Sequence, residues 1–250
     1  MINPTENNND PVIFKDITHF YGKRKVLSNI NLSFESDKIT VILGKSGGGK
    51  STLIQMINGL IIPSEGMVKV FGKHIDYRQI HLLRRSIGYT VQGTGLFPHM
   101  TVYQNIALLA RICKYNSGKT DERIKRLMQF VDLDSRYTDK YPHQLSGGEQ
   151  QRVGICRAMI LNPRIFLLDE AFGALDVTTR NEIHGELLRL QEAEPRTIIL
   201  VTHDVSEAIR LADKILVLND GEMQQYDLPQ QILKHPANSF VAELIQSHKI

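Results

Sequence analysis

Ile39-Thr40-Val41-Ile42-Leu43-Gly44-Lys45-Ser46-Gly47-Gly48-Gly49-Lys50-Ser51-Thr52 is the stretch that decides how this chain folds. Its first five residues are apolar or β-branched and read as a short strand buried on both faces. The next eight, Gly44–Ser51, fit the spacing G-x-x-x-x-G-K-[ST]. Helical signals run from Lys50 to about Asn58, and Gly59 fits a helix end. Strand, glycine-rich turn and helix start, in that order, make a phosphate cradle. Glycines let backbone N–H groups converge on anionic oxygens, and the helix adds the positive end of its dipole. Lys50 is long enough to reach the outer phosphates of a nucleoside triphosphate, and the Ser51 hydroxyl suits Mg2+.

Upstream, Val12–His19 and Ile30–Phe34 alternate apolar and polar residues as strands do. Downstream, Pro63–Gly66 is turn chemistry and Met67–Phe71 reads as a further strand. From Gln92 to about Leu161 helical periodicity takes over, in Val102–Ile112, Glu122–Val131 and Gly147–Leu161. Buried strands return at Ile165–Leu168 and Thr197–Val201, with an amphipathic helix at Thr178–Gln191 whose Ile183, Leu187 and Leu190 share a face. Ile215–Asn219, the turn Asp220-Gly221 and Glu222–Tyr226 read as a hairpin, and Pro229–Lys234 and Ser239–Gln246 as closing helices. Strands alternating with helices at this spacing imply an α/β fold with a mainly parallel sheet.

The composition narrows the function. Thirty basic and 27 acidic residues among 250 leave a net charge of +3. With so small an excess, a nucleic-acid partner is not expected, because phosphate backbones call for a clustered basic face. No stretch reaches the ~18 apolar residues of a membrane span. Met1–Asp10 is polar and Asn-rich, lacks a secretion pattern and is expected to be a loose tail. Cys113 and Cys156 form no metal or redox spacing and read as reduced thiols of a cytosolic protein.

A second chemical group stands where the strand Ile165–Leu168 ends in Asp169-Glu170. Ligands of open parallel sheets bind beyond the carboxyl ends of the strands. Asp169 is therefore placed to hold Mg2+, directly or through water, and Glu170 to orient or deprotonate an attacking water. A third feature is Leu145-Ser146-Gly147-Gly148-Glu149-Gln150-Gln151-Arg152. Ser146 followed three residues later by Glu149 is a capping box. The same residues also make a second anion site, with the Gly147 and Gly148 amides at a helix start. Both readings stand at this point.

LSGGEQQR, taken with Gly44–Ser51 and Asp169-Glu170, resembles the signature motif of the ATP-binding cassette (ABC) ATPases. The resemblance runs from about Val12 to Gln246. It implies a P-loop NTPase core with an N-terminal antiparallel β subdomain and an inserted α-helical subdomain. The single cassette domain would span 11–246, with 11–91 and 162–246 as the core and about 92–161 as the helical lobe. Tyr21 resembles the family's adenine-stacking aromatic. Gln92 resembles the glutamine that contacts Mg2+, and His203 the histidine that contacts the γ-phosphate. Ala174-Leu175-Asp176 resembles the loop that crosses the dimer interface.

On that resemblance, Gly44, Ser46, Gly47, Gly48, Gly49, Lys50, Ser51 and Thr52 hold the nucleotide of one subunit. Ser146, Gly147, Gly148 and Asp176 serve the nucleotide of a second copy. Glu170, His203 and Gln92 are the catalytic set, and Ser51, Gln92 and Asp169 the Mg2+ set. The chain departs from the family pattern at Gly48, where relatives often carry a small polar residue, and at Ala171, where proline is common. Gly95-Leu96-Phe97-Pro98-His99-Met100-Thr101-Val102 resembles the permease-docking segment of importer cassettes. The sequence is most similar in look to cassettes that import osmoprotectants such as glycine betaine, choline or proline, and no C-terminal regulatory domain is expected. The resemblance implies an ATPase on the cytoplasmic face of the membrane, partnered by a second copy, a permease and a substrate-binding protein. The alternatives are a lipid-trafficking or export cassette and a soluble, non-transport ABC protein.

Overall fold

The computed structural model describes residues 10–91, 93 and 95–246. The chain begins with β1 (Val12–Tyr21), β2 (Arg24–Phe34), β3 (Ile39–Leu43), α1 (Lys50–Ile57), β4 (Glu65–Val70) and β5 (Lys73–His74). It continues through α2 (Ile80–Arg84), β6 (Ile87–Thr90), α3 (Val102–Ile112), α4 (Ser117–Phe130) and α5 (Gly147–Met159). Next come β7 (Ile165–Asp169), α6 (Val177–Ala193), β8 (Thr197–Thr202), α7 (Val205–Leu211) and β9 (Lys214–Asn219). It closes with β10 (Glu222–Asp227), α8 (Pro229–Lys234) and α9 (Ser239–Gln246). Two compact units result, Met1–Arg84 with Arg196–Ile250, and Arg85–Pro195. The expected tail lies outside the described residues apart from Asp10, which is buried.

In the first unit β2, β1, β4 and β5 form an antiparallel sheet in that order. β3 runs parallel to both β8 and β9, and β10 returns antiparallel to β9. Every residue of β3 is buried. That explains a strand without polar alternation: it has neighbours on both edges and cover on both faces. α1 buries Leu53, Ile54, Met56 and Ile57, each contributing roughly 1.5–3 kcal/mol of apolar burial. β2 is longer than the Ile30–Phe34 reading. Asn29 sits at φ 48° and Asp16 at φ 52°, and the β1–β2 register shifts three times between Phe14 and Phe20. Such bulges break the two-residue alternation by which a strand is recognised.

In the second unit β6 and β7 pair in parallel, from Ile87↔Ile165 to Thr90↔Leu168. All elements from Val102 to Met159 are helical. α3 opens on a capping box between Thr101 and Gln104, and α5 on one between Ser146 and Glu149. α4 starts at Ser117, ahead of the expected Glu122, because the Asn116 side chain accepts from the Lys119 amide. Arg123 on α4 donates to the Ile160 and Met159 carbonyls, both at 2.9 Å, and so closes the end of α5. Cys156 is fully buried, and burial pushes its thiol far above the usual range. It is a packing residue, inert at neutral pH.

Candidate functional site

The phosphate loop leaves β3 at Gly44 and enters α1 at Lys50. Its shape depends on missing side chains. A Cβ at Gly44 would lie 2.0 Å from the Leu218 carbonyl oxygen of β9. Gly49 adopts φ 94°, and a Cβ there would meet the Val26 carbonyl oxygen at 2.9 Å. Gly47 adopts φ 78° with open space around it. Gly48 donates to the Lys45 carbonyl at 3.2 Å and accepts from the Gly221 amide at 3.2 Å. Gly221 in turn accepts from the Ser28 amide at 2.9 Å. The loop is therefore braced on one side by β2 and on the other by the β9–β10 turn.

Within this brace Lys50 is only 4% exposed, and its Nζ donates to the Gly44 and Lys45 carbonyls, both at 2.8 Å. Gly49 offers no side-chain oxygen to the first turn of α1. A helix start without a side-chain cap suits an external anion. Ser46 and Gly47 are exposed, Ser51 is half-buried and Thr52 is buried. The Lys45 Nζ lies 5.3 Å from the centre of the Phe240 ring of α9. His203 is exposed immediately after β8, and since Leu43 pairs with Thr202, Gly44 and His203 leave adjacent strands at the same level.

Tyr21 ends β1 with half of its surface exposed. Its ring stands edge-on to His19, with centroids 4.8 Å apart and planes at 88°. His19 is buried, and burial holds its pKa below the ordinary range. Its Nδ1 lies 3.3 Å from Ser64 Oγ, which accepts from the Phe20 amide at 3.1 Å. The end of β1 is thus fixed behind an aromatic face open to a planar base.

In the second unit Asp169 is 1% exposed at the end of β7. Its amide donates to Thr90 Oγ1 at 3.3 Å, and the Tyr89 hydroxyl donates to its Oδ2 at 3.4 Å. Glu170 follows with φ 49°, a left-handed backbone that costs an ordinary residue about 1–2 kcal/mol. Asp176 caps α6 by accepting from the Thr179 amide at 3.0 Å, which holds its carboxyl below the usual range. At α5 the Ser146 amide donates to Glu149 Oε2 at 2.7 Å, and Ser146 Oγ accepts from the Glu149 amide at 3.3 Å. Burial opposes the charge on Glu149. Hydrogen bonds from Ser146 and the Tyr137 hydroxyl, together with the Arg152 charge, outweigh it and keep the carboxyl below its usual range.

Of the two readings of the LSGGEQQR stretch, the structure forms the capping box. Ser146 Oγ accepts from the Glu149 amide, and the Ser146 side chain also bonds the Glu149 carboxyl. One residue that sequence reasoning passed over joins this helix to the acids. Gln151, buried on α5, donates from Nε2 to the Glu170 carbonyl and accepts at Oε1 from the Ala174 amide, both at 3.0 Å. No short-range pattern marks it, since its partners are distant in sequence. Gln92 lies outside the described residues. The Phe97 loop is pinned by Asn105, whose Nδ2 donates to the Phe97, Met100 and Thr101 carbonyls and whose Oδ1 accepts from the Phe97 amide. Phe97 itself is 42% exposed.

A braced phosphate loop, an acid pair ending a strand and a capped glycine pair opening a helix define a nucleotide-binding cassette. The ABC transporter family model matches residues 27–173, and the chain belongs to that family. It is 43% identical to a carnitine transport ATP-binding protein of Listeria monocytogenes, over 95% of this chain and 60% of that protein. It is 42% identical to a glycine betaine uptake system ATP-binding protein of Escherichia coli, over 92% of this chain and 75% of that one. The chain thus spans about 60% of the length of the first of these relatives. Among solved structures it matches a dimeric post-hydrolysis ATP-binding cassette bound to ADP and Pi, with TM-score 0.82 and 33% identity, covering 87% of this chain and 98% of that one. It also matches an ABC transporter complex subunit from Clostridium perfringens, with TM-score 0.80 and 29% identity, covering 96% and 95%. Among the described residues no helix is long and apolar enough to cross a membrane.

Proposed function

We propose that the chain is the ATP-hydrolysing subunit of an importer for quaternary-amine osmoprotectants. Two copies would close around two ATP molecules, and a separate permease would carry the cargo. The observation that carries this reading is the loop at 44–49, which leaves no room for a side chain at Gly44 or Gly49, beside the buried Lys50. Tyr21 would stack on adenine, and the loop amides, Lys50, Ser51 and Thr52 would take the phosphates. Ser146, Gly147 and Gly148 of the second copy would take the γ-phosphate from the other side, with Asp176 at the seam. The chain would form a single cassette domain, with a core at 11–91 and 162–246 and a helical lobe at 92–161.

The Ser51 hydroxyl and the Asp169 carboxylate are hard oxygen donors that fit Mg2+, with Gln92 a third on family grounds. When bound, the ion neutralises charge on the β- and γ-phosphate oxygens. Glu170 would take the proton from a water whose oxygen attacks the γ-phosphorus. The bond from that phosphorus to the bridging oxygen breaks, leaving ADP and inorganic phosphate. His203 would orient the γ-phosphate. The relatives' names, for carnitine and glycine betaine, support the cargo class. The pinned, exposed Phe97 supports a permease docking there, with a substrate-binding protein delivering cargo and the cassette lying against the cytoplasmic face of the membrane.

The test is Glu170→Gln. Loss of the base should lower hydrolysis by roughly 10²–10⁴-fold while ATP binding persists, and gel filtration with ATP should show a dimer. A variant that binds ATP yet remains monomeric would overturn the composite site.

A further inference from the structure

Glu170 is held in a conformation it would not adopt alone. Its φ of 49° places a side-chain-bearing residue in the left-handed region at the point where β7 turns into the following loop. Such strain persists only where the surroundings over-determine it. Hydrogen bonds from near and far in the sequence act on this turn. The Gly173 amide donates to the Glu170 carbonyl at 3.3 Å, a weak local bond. Another comes from α5: the Gln151 amide spans the turn, giving a hydrogen bond to the Glu170 carbonyl and taking one from the Ala174 amide. Gln151 is 7% exposed, so water does not compete for these bonds.

We infer that Gln151 is the positioning residue of the general base. It rests on the assignment of Glu170 as that base. Its primary amide is the chemistry the turn requires, since one end must donate to a carbonyl and the other accept from an amide. A carboxylate could do only the second, and an apolar side chain neither. With the clamp removed, the Glu170 backbone relaxes toward negative φ and swings the carboxylate off the line of the attacking water.

Gln151 also lies on the helix that opens with Ser146. In a closed pair that helix would touch the partner's nucleotide, whereas Glu170 serves its own. Gln151 therefore joins the helix that opens at Ser146 to the turn that carries Glu170.

Single-turnover ATP hydrolysis by Gln151→Met, by Glu170→Gln and by the double variant tests this. Gln151→Met keeps length and burial but removes both hydrogen bonds. It should lower the rate roughly 10–100-fold with ATP affinity within about twofold of the original. In the Glu170→Gln background the same change should add nothing further, because the group it positions is gone. Additive losses in the double variant, or an unchanged rate in a folded Gln151→Met, would overturn the inference. Should Gln151→Met not fold, Gln151→Glu retains the bond to Ala174 and carries the same cycle. Full hydrolysis by Glu170→Gln alone would instead refute the base assignment, so the two failures are distinguishable.

Discussion

Two helices of this protein begin at glycines and suit an anion, and they are built in opposite ways. α1 starts after Gly49 with no side-chain cap, and its loop is shaped by residues far away: Leu218, Gly221 and Val26 crowd it from both sides. α5 starts after Ser146 with a complete capping box, and a side chain at Gly147 would meet nothing within 4 Å. The first site is imposed by tertiary packing. The second is written into four consecutive residues. Glycine is obligatory at the first for steric reasons inside the molecule. At Gly147 the molecule itself sets no steric requirement.

The largest effect should come from Gly44→Ala. A backbone oxygen 2.0 Å from the new carbon cannot swing away as a flexible side chain would. The change should cost ~3 kcal/mol in urea unfolding and abolish nucleotide binding. A stable, ATP-binding Gly44→Ala would remove the steric half of the contrast. Ser146→Ala should be milder, losing about 1 kcal/mol of helix capping while eliminating the ATP-dependent dimer in the Glu170→Gln background. If the dimer survives, Ser146 is only a cap. Gly147→Ala should be the mildest for the fold, within about 0.5 kcal/mol, because alanine favours helix and the space is open. Dimerisation should nevertheless weaken, and a stability loss comparable to that of Gly44→Ala would erase the difference between the two starts.

This contrast also explains what could be read from the residues alone. Gly44–Ser51 was legible because strand, loop and helix follow one another without a gap. Ser146 and Glu149 were legible because a capping box is local. Helix α7 escaped notice, although Asp204 caps it through the Ser206 and Glu207 amides; its seven residues are too short for a periodicity to register. β5 has two residues and α2 five, below the length at which pattern reading discriminates. The role of Gln151 was hidden for another reason. Its value lies in where the fold brings Glu170 and Ala174, and nothing in Gln150-Gln151-Arg152 distinguishes one glutamine from the other. The Gly221 turn was recognised as a hairpin, but its grip on Gly48 was not, since a turn glycine looks the same whatever its amide meets.

The grip of the β9–β10 turn on the phosphate loop has a consequence for biosynthesis. β3 and the loop leave the ribosome early, but Leu218 and Gly221, which shape it, emerge only after α7. At ordinary rates of synthesis that lag is on the order of 10 s. During it the glycines at 44–49 have no partner to choose one conformation for them. The nascent chain consequently carries the motif without the pocket, and only synthesis of the distal hairpin converts one into the other.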